Sequence, residues 1–316
     1  MRATSPLLAF VHPDCAGHQP IWGHPERPER LAAAREGARR AGAREAEIDI
    51  DDARTLAAVA RVHDPDLARR LHFACRGTTP ATFDCADNSI SAGTYDAALG
   101  AVRATLAGVD AVLTGQARCA WVGVRPPGHH ALHLRAMGFC FFNNAAIAAE
   151  ELRARGAASV AVVDFDVHHG NGTQDHFFAR SDVFFLSVHR YPFYPGSGAG
   201  DEIGGGAGRG FTRNYPLAAG AGDDIYVGAV EAGLEDVMQV TCPDAWVVSA
   251  GFDAHAADPL GGMNVSSNGF ERIGTLIASV AAGKPIVAVL EGGYQVTALT
   301  ESVHAFLNGL VGSGRA

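Results

Sequence analysis

Cysteine pairs, positive charge, long apolar runs and linkers are all scarce in this sequence. Its six cysteines are Cys15, Cys75, Cys85, Cys119, Cys140 and Cys242, and no two form a C-x-x-C pair. That spacing argues against a thiolate zinc knuckle and a thioredoxin-type site, and so few cysteines cannot staple a chain of 316 residues. The thiols are therefore expected to be reduced and mostly buried, in a cytoplasmic protein. Acidic residues outnumber basic ones by 34 to 25, for a formal charge of −9. No basic groove for nucleic-acid phosphates is expected. No run approaches the ~18 apolar residues that would cross a membrane, and the apolar stretch within Met1–Phe10 is too short for a signal peptide. No repeat, low-complexity tract or Pro/Ser-rich linker interrupts the chain. One domain over residues 1–316 is the expectation.

Apolar residues and glycine are plentiful. Hydrophobic residues make up 47% and charged residues 19%, a balance that builds a core, whereas a disordered chain is poorer in the first and richer in the second. Strand candidates are Leu7–Val11, Ala120–Val124, Val160–Phe165, Val183–Val188, Ala245–Ala250 and Ile286–Leu290. Their continuous apolarity marks strands buried on both faces, as in a parallel sheet. Helix candidates between and around them are Glu26–Ala41, Pro65–Cys75, Ala92–Leu113, Asn143–Arg155, Asp223–Val240 and Gly269–Ala281. The alternation predicts a three-layer α/β fold, a central mostly parallel sheet flanked by helices. Glycine takes 8 of the 15 positions in Gly196–Gly210, which reads as a long surface loop.

Five strand candidates run into polar residues at their carboxyl ends: Arg125 to His130, Asp164 to Gly172, His189-Arg190, Phe252 to His255, and Glu291 to Tyr294. Eight of the 14 histidines fall in short clusters: His12 and His18; His129, His130 and His133; His168 and His169; and His189. Open parallel sheets bind ligands just beyond the carboxyl ends of their strands, so these segments should converge.

Asp166 and His168 lie two apart on an extended segment and leave the same face of the chain. A carboxylate oxygen and an imidazole nitrogen make half of a zinc or iron site. Asp253, ending another strand, is the obvious third ligand. Three protein ligands leave a position for water, which is the catalytic arrangement. The D-x-H spacing alone also suits a core histidine; Asp164, His169 and the Gly170-Asn171-Gly172 turn tilt the choice to a metal. Two carboxylates offset most of a dication's charge, so its water is acidified less than at an all-histidine site, where the pKa falls to ~7. A neighbouring base is then needed. His129 and His130, on the Pro126-Pro127-Gly128 turn, supply a base and an acid, with Asp164 and Asn171 as orienting partners. Tyr294 follows a Gly-Gly pair that would let it move onto substrate and could donate to an oxyanion, or it is a core tyrosine. Phe139 and Tyr194 could flank a narrow channel, or sit in the core.

These segments resemble the zinc-dependent histone deacetylase superfamily, which includes acetylpolyamine amidohydrolases and acetoin-utilisation proteins. The motifs are Pro126-Pro127-Gly128-His129-His130, Gly138-Phe139-Cys140, Phe142-Asn143-Asn144, Val163 to Gly172, Ser249 to His255, and Glu291-Gly292-Gly293-Tyr294. His24-Pro25-Glu26-Arg27-Pro28-Glu29-Arg30-Leu31 is similar to the class II branch, and the match runs from about His12 to Tyr294.

The resemblance implies an arginase-like fold and hydrolysis of a linear amide of acetate or another acyl group. The substrate would be an acyl-lysine or a related acylated amine. By motif position, Asp166, His168 and Asp253 would bind zinc, although iron(II) suits the same set. His129 and His130 would be the histidine pair and Tyr294 the oxyanion donor. Gly138, Phe139, Tyr194 and Leu260 would line the channel. Asp87, or in competition Asp84, would hold the substrate backbone. A structural potassium ion would use Asp164, Ser187 and the backbone at Asp166, His168 and Val188, and a second monovalent site the carbonyls near Phe177, Arg180, Val183 and Phe211. Asn171 replaces an aspartate of class I members; a neutral partner stabilises imidazolium less, so His130 should be more readily deprotonated than an aspartate-paired histidine. Tyr194 stands where many members have phenylalanine. Two alternatives remain. One is an acetylpolyamine amidohydrolase, against which Leu260 stands in place of a carboxylate gate; polyamine-type bacterial members also build their gate by dimerisation, which leaves room for a homo-oligomer. The other is a non-catalytic acyl-lysine reader, which would have lost a ligand, a base or the tyrosine.

Overall fold

The computed structural model describes residues 5–312; the first four residues of Met1–Phe10 and the last four of the chain lie outside the described residues. The strands are β1 (Ser5–Phe10), β2 (Arg44–Glu45), β3 (Ala81–Phe83), β4 (Cys85–Ile90), β5 (Ala117–Val122), β6 (Val160–Asp164), β7 (Val183–Arg190), β8 (Thr212–Leu217), β9 (Ala245–Ala250) and β10 (Ile286–Leu290). The helices are α1 (Glu29–Arg40), α2 (Asp52–Val62), α3 (Pro65–Cys75), α4 (Thr94–Leu113), α5 (Asn144–Ala154), α6 (Asn171–Phe177), α7 (Asp223–Val240), α8 (Ser267–Ala281) and α9 (Val296–Gly312). An 8-stranded sheet runs in the order β2-β1-β5-β10-β9-β6-β7-β8, with each neighbouring pair parallel. β3 and β4 pair separately and antiparallel.

The continuous apolar runs have a simple cause: helices cover both faces of the sheet. Along β10, Val287 and Val289 pack into one core with residues of α2 to α5. Ile286, Ala288 and Leu290 pack into the other, with α1, α7, α8 and α9. Burial on both faces hides the period-two alternation from the sequence. Several helices begin where a side chain can accept an otherwise unpaired backbone N–H. Asp51 accepts from Arg54, Asp64 from Asp66, Asn143 from Ala146 and Ser266 from Gly269. Pro65 opens α3, where its missing N–H costs nothing.

The differences from expectation are local. α1 begins at Glu29, after Pro28, rather than at Glu26. The Gly170-Asn171-Gly172 segment is not a free turn: Asn171 opens α6. β8 follows the glycine-rich loop, and α9 closes the second core. No helix among the described residues is long and apolar enough to cross a membrane. All six cysteines are free, with Cys85 partly buried and Cys242 exposed.

The strand order assembles the site. β10 and β9 fill the gap between β5 and β6, so the carboxyl ends of β5, β10, β9, β6 and β7 stand side by side, each ~4.8 Å from the next.

Candidate active site

Asp166 and His168 follow β6, and Asp253 follows β9, the strand beside it. His168 Nδ1 lies 3.1 Å from Asp166 Oδ1 and 3.1 Å from Asp253 Oδ2. The other oxygens are anchored: Asp166 Oδ2 accepts from the Gly292 N–H at 2.7 Å, and Asp253 Oδ1 from the Val167 N–H at 2.9 Å. Asp253 Oδ2 is buried with no hydrogen-bond partner; His168 is near it but not in bonding geometry. A buried carboxylate oxygen without a donor is costly. Three donor atoms packed this closely, one of them orphaned, suit a shared cation. Ligands ~2.0–2.2 Å from a tetrahedral zinc are themselves roughly 3.3–3.6 Å apart. Two glycines make the cradle. A Cβ on Gly251 would meet Asp166 Oδ2 at 2.0 Å, and one on Gly292 would meet Asp253 Oδ2 at 2.1 Å. Burial opposes charge on His168, yet the two aspartates overcome it and raise its pKa to about 9. A bound dication answers the same field.

A second cluster, His129, Cys140 and Glu291, also brings potential ligand atoms within 4.8 Å of one another. Its groups are already paired. Glu291 Oε2 accepts from the N–H groups of Gly128 and His129 at 2.6 and 3.1 Å, and the Cys140 thiol donates to Gly138 O at 3.3 Å. It is a hydrogen-bonded support under the histidine pair, and of the two sets only the aspartate-histidine one has a fully buried ligand atom without a hydrogen-bond partner.

His129 and His130 follow β5 with ring centroids 4.0 Å apart. His129 Nδ1 lies 2.9 Å from Asp164 Oδ2, and His130 Nδ1 lies 2.7 Å from Asn171 Oδ1. Burial lowers the His129 pKa, but Asp164, Asp166 and Glu291 raise it to about 10. His130 goes the other way, pushed well down by burial and then by the charges of His129 and His168. Asp164 and Asn171, the expected orienting partners, thus each lie within hydrogen-bond distance of one histidine of the pair.

A cavity of ≈ 220 Å³ is lined by Asp87, His130, Gly138, Phe139, His168, Tyr194, Leu260 and Tyr294. Every expected channel residue lies on it. Asp84 does not; it pairs with Arg70 and accepts from the Ala136 N–H at 2.9 Å. Gly138 and Phe139 both have positive φ, +60° and +67°, within a Met137–Cys140 bridge. That is the geometry of a tight turn with two left-handed central residues, unusual for a phenylalanine. Asn88 Oδ1 holds it there, accepting from the Phe139 N–H at 2.6 Å. A Cβ on Gly138 would meet His130 Cδ2 at 2.3 Å, so no other residue fits. The Tyr194 hydroxyl donates to Asp87 Oδ2 at 2.9 Å.

Of the expected potassium ligands, Asp164 and Ser187 are register partners on β6 and β7. The Ser187 hydroxyl is 2.9 Å from His189 Nδ1, and the Tyr226 hydroxyl donates to Val188 O at 2.9 Å and lies 3.4 Å from Asp166 O. At the second set, Phe177 O accepts from the Arg180 N–H at 3.0 Å and Phe211 O from the Phe185 N–H at 2.8 Å; Val183 opens β7.

Sequence reasoning gave no role to several residues that the structure brings to this edge. Phe193 stacks on His168 at 5.2 Å. Arg30 is fully buried, donating to Gly293 O at 2.6 Å and to Glu26 Oε1 at 2.9 Å, with its guanidinium 4.9 Å over the Tyr294 ring. Arg125 grips Glu26 in bidentate fashion. Two arginines and a glutamate in the His24–Leu31 motif and the β5 end are the sequence signal, because charges beside apolar runs are buried only when paired.

Residues 24–310 match the profile of a family described as the histone deacetylase domain. Histone deacetylase 15 of Arabidopsis thaliana is 37% identical over 92% of this chain and 53% of its own length. The acetylpolyamine amidohydrolase of Burkholderia pseudomallei is 36% identical over 96% of this chain and 98% of its own. The solved HDA15 HD domain has a TM-score of 0.91 at 32% identity, covering 99% of this chain and 90% of that one. The chain spans about half the length of the plant relative and nearly all of the bacterial one. It belongs to the histone deacetylase family of deacetylases and amidohydrolases, and its helix-flanked parallel sheet is the arginase/deacetylase fold.

Proposed function

We propose that this chain hydrolyses the amide of acylated lysine side chains or related acylated amines, with a metal ion held by Asp166, His168 and Asp253. The observation that carries the reading is the unpartnered Asp253 Oδ2 beside His168, a residue that also lines the narrow cavity. Zinc, or iron(II), bound there would polarise the acyl carbonyl and acidify a water. His130 donates from Nδ1 to Asn171, so Nε2 is free to take the attacking water's proton and return it to the departing amine. His129, held as imidazolium by Asp164, stabilises the negative charge that builds up. The Tyr294 hydroxyl has no hydrogen-bond partner among the described residues and is the donor for the tetrahedral oxyanion. Phe139 and Tyr194 wall the acyl-bearing chain from water, and Asp87 at the same cavity takes the substrate's N–H donors.

Potassium at Asp164, Asp166, His168, Ser187 and Val188, with a second ion at Phe177, Arg180, Val183 and Phe211, would brace the β6 and β7 ends. The two cores share one sheet, which supports a single catalytic domain, and six free thiols suit the cytoplasm. Leu260 on the cavity wall cannot hold a second ammonium, which favours lysine-type or neutral amides over acetylpolyamines. The test is kcat/KM across acetyl-lysine peptides, longer acyl-lysines and acetylpolyamines. Acetyl- or acyl-lysine should lead; a panel led by acetylpolyamines moves the assignment to the second class, and no turnover of any member by zinc-loaded protein sinks both.

A further inference from the structure

The segment Glu291-Gly292-Gly293-Tyr294-Gln295 is bonded at every residue. Glu291 N donates to Ala250 O at 3.0 Å, and Gly292 N to Asp166 Oδ2 at 2.7 Å. Gly293 O accepts from Arg30 Nε at 2.6 Å. Tyr294 N and Gln295 N both donate to Asp258 Oδ2, at 2.6 and 3.3 Å. The glycine pair is therefore there for close approach and for the φ of +117° at Gly293, where L side chains are strained, rather than as a free hinge. Nothing among the described residues hydrogen-bonds the Tyr294 hydroxyl, so the phenol's aim depends on how its backbone and ring are held. The ring has Arg30 over one face and Phe139 edge-on at 5.9 Å. The backbone has Asp258.

Asp258 does more than cap one N–H. It is 9% exposed, and its second oxygen, Oδ1, accepts from the Leu260 N–H at 2.9 Å. One buried carboxylate thus ties together the two chain segments that bring Leu260 and Tyr294 to the cavity. We propose that Asp258 is a positioning residue for the reaction: its carboxylate sets the place of the Tyr294 hydroxyl and, through Leu260, of a second residue lining the channel. The proposal rests on Tyr294 being the oxyanion donor. It makes Asp258 part of transition-state stabilisation although it touches no substrate.

Asp258→Asn is nearly isosteric but turns an N–H donor toward backbone donors, so one arm of the clamp is lost. A displacement of about 1 Å in a catalytic group can cost ~10²-fold, and Asp258→Asn should lower kcat by roughly 10- to 100-fold with KM changed far less. Metal content should be unchanged. Amide hydrogen exchange of the 291–296 segment should accelerate, a readout that does not depend on turnover. The decisive arm is the double variant. Against Tyr294→Phe, which should itself lose ~10²–10³ in kcat, Asp258→Asn should cost almost nothing further. If it costs the same factor in both backgrounds, Asp258 acts by general stability and the proposal falls while the donor role stands. If Tyr294→Phe keeps native kcat, the donor role falls and takes the proposal with it. Should the Asn variant fail to fold, Asp258→Glu keeps both acceptors one methylene farther out and must show the same kcat loss and non-additivity; native kcat in that variant overturns the proposal.

Discussion

His129 and His130 are the same side chain in consecutive positions, and their partners make them chemically different. His129 faces Asp164, with Asp166 and Glu291 also near, and those carboxylates overcome the burial that disfavours its charge. His130 faces a neutral amide, so burial and two neighbouring imidazoles keep it uncharged. An uncharged imidazole with Nε2 free is a base; a charged one is an electrostatic support. Replacing His130 with Ala should therefore reduce kcat by ~10²–10⁴-fold, with a smaller change in KM. His129→Ala should be damaging as well, through the lost positive charge. Steady-state kinetics on both variants, with metal content measured in parallel, checks this. Near-native kcat in both would mean that the pair is misassigned. Asp166, His168, His130 and Tyr294 could be picked out as candidates in the sequence, because chemically capable side chains there follow apolar strand runs and have further polar neighbours beside them. Glu291 and Asp258 were not, because an acid that works by accepting backbone N–H bonds has no mark until those donors are placed.

The elements divide in a similar way. β9 and β10 match their expected bounds because five or six wholly buried residues leave an unbroken apolar run. α9 escaped notice because it is wedged between α1 and α8 and buries residues on several sides, leaving no single stripe. β8 is an edge strand whose buried residues are Thr212 and Asn214, so it has no apolar signature. Between elements, His63 is a clamp that no motif announced. It caps the end of α2; its Nε2 accepts from the Asn143 N–H at 2.8 Å at the start of α5, and its Nδ1 bonds Leu132 O at 2.9 Å. Only the neutral ring with its proton on Nδ1 satisfies both. Burial, with His176 and His133 nearby, lowers its pKa from 6.5 to about 4. Below the unfolded value the unfolded chain takes up a proton that the folded chain refuses. Stability should thus be full above pH ~6.5 and be lost as pH falls toward ~4, by up to roughly 3 kcal/mol from this residue. Thermal or urea unfolding across that range, compared with His63→Gln, tests it. The stability advantage of the native histidine should shrink as pH falls; an advantage independent of pH would show that the ring is not held neutral.

At the scale of the whole molecule, the strand ends concentrate buried acids. Asp164, Asp166, Asp253 and Glu291 are all fully buried along one edge of the sheet. Burial and the neighbouring Asp166 charge push the Asp253 pKa up, the sign of a site short of positive charge. The two cores, by contrast, lie on the faces of the sheet and owe nothing to a metal. A chain of this size buries enough surface to fold without one. The metal-free protein should therefore keep its far-UV circular dichroism at 25 °C, lose turnover, and melt at a lower temperature than the loaded form. A metal at a thousand times its dissociation constant adds roughly 4 kcal/mol, which for a chain of this length moves Tm by several degrees. Adding zinc back should restore turnover and Tm together. Asp253→Ala should remove the metal-dependent rise in Tm, because it deletes the one ligand oxygen left without a protein partner. Full activity in protein that elemental analysis shows to be metal-free would defeat the metal assignment. Unfolding at 25 °C on chelation would show instead that the ion is structural, and that the carboxylate edge, rather than the two cores, decides whether the chain folds.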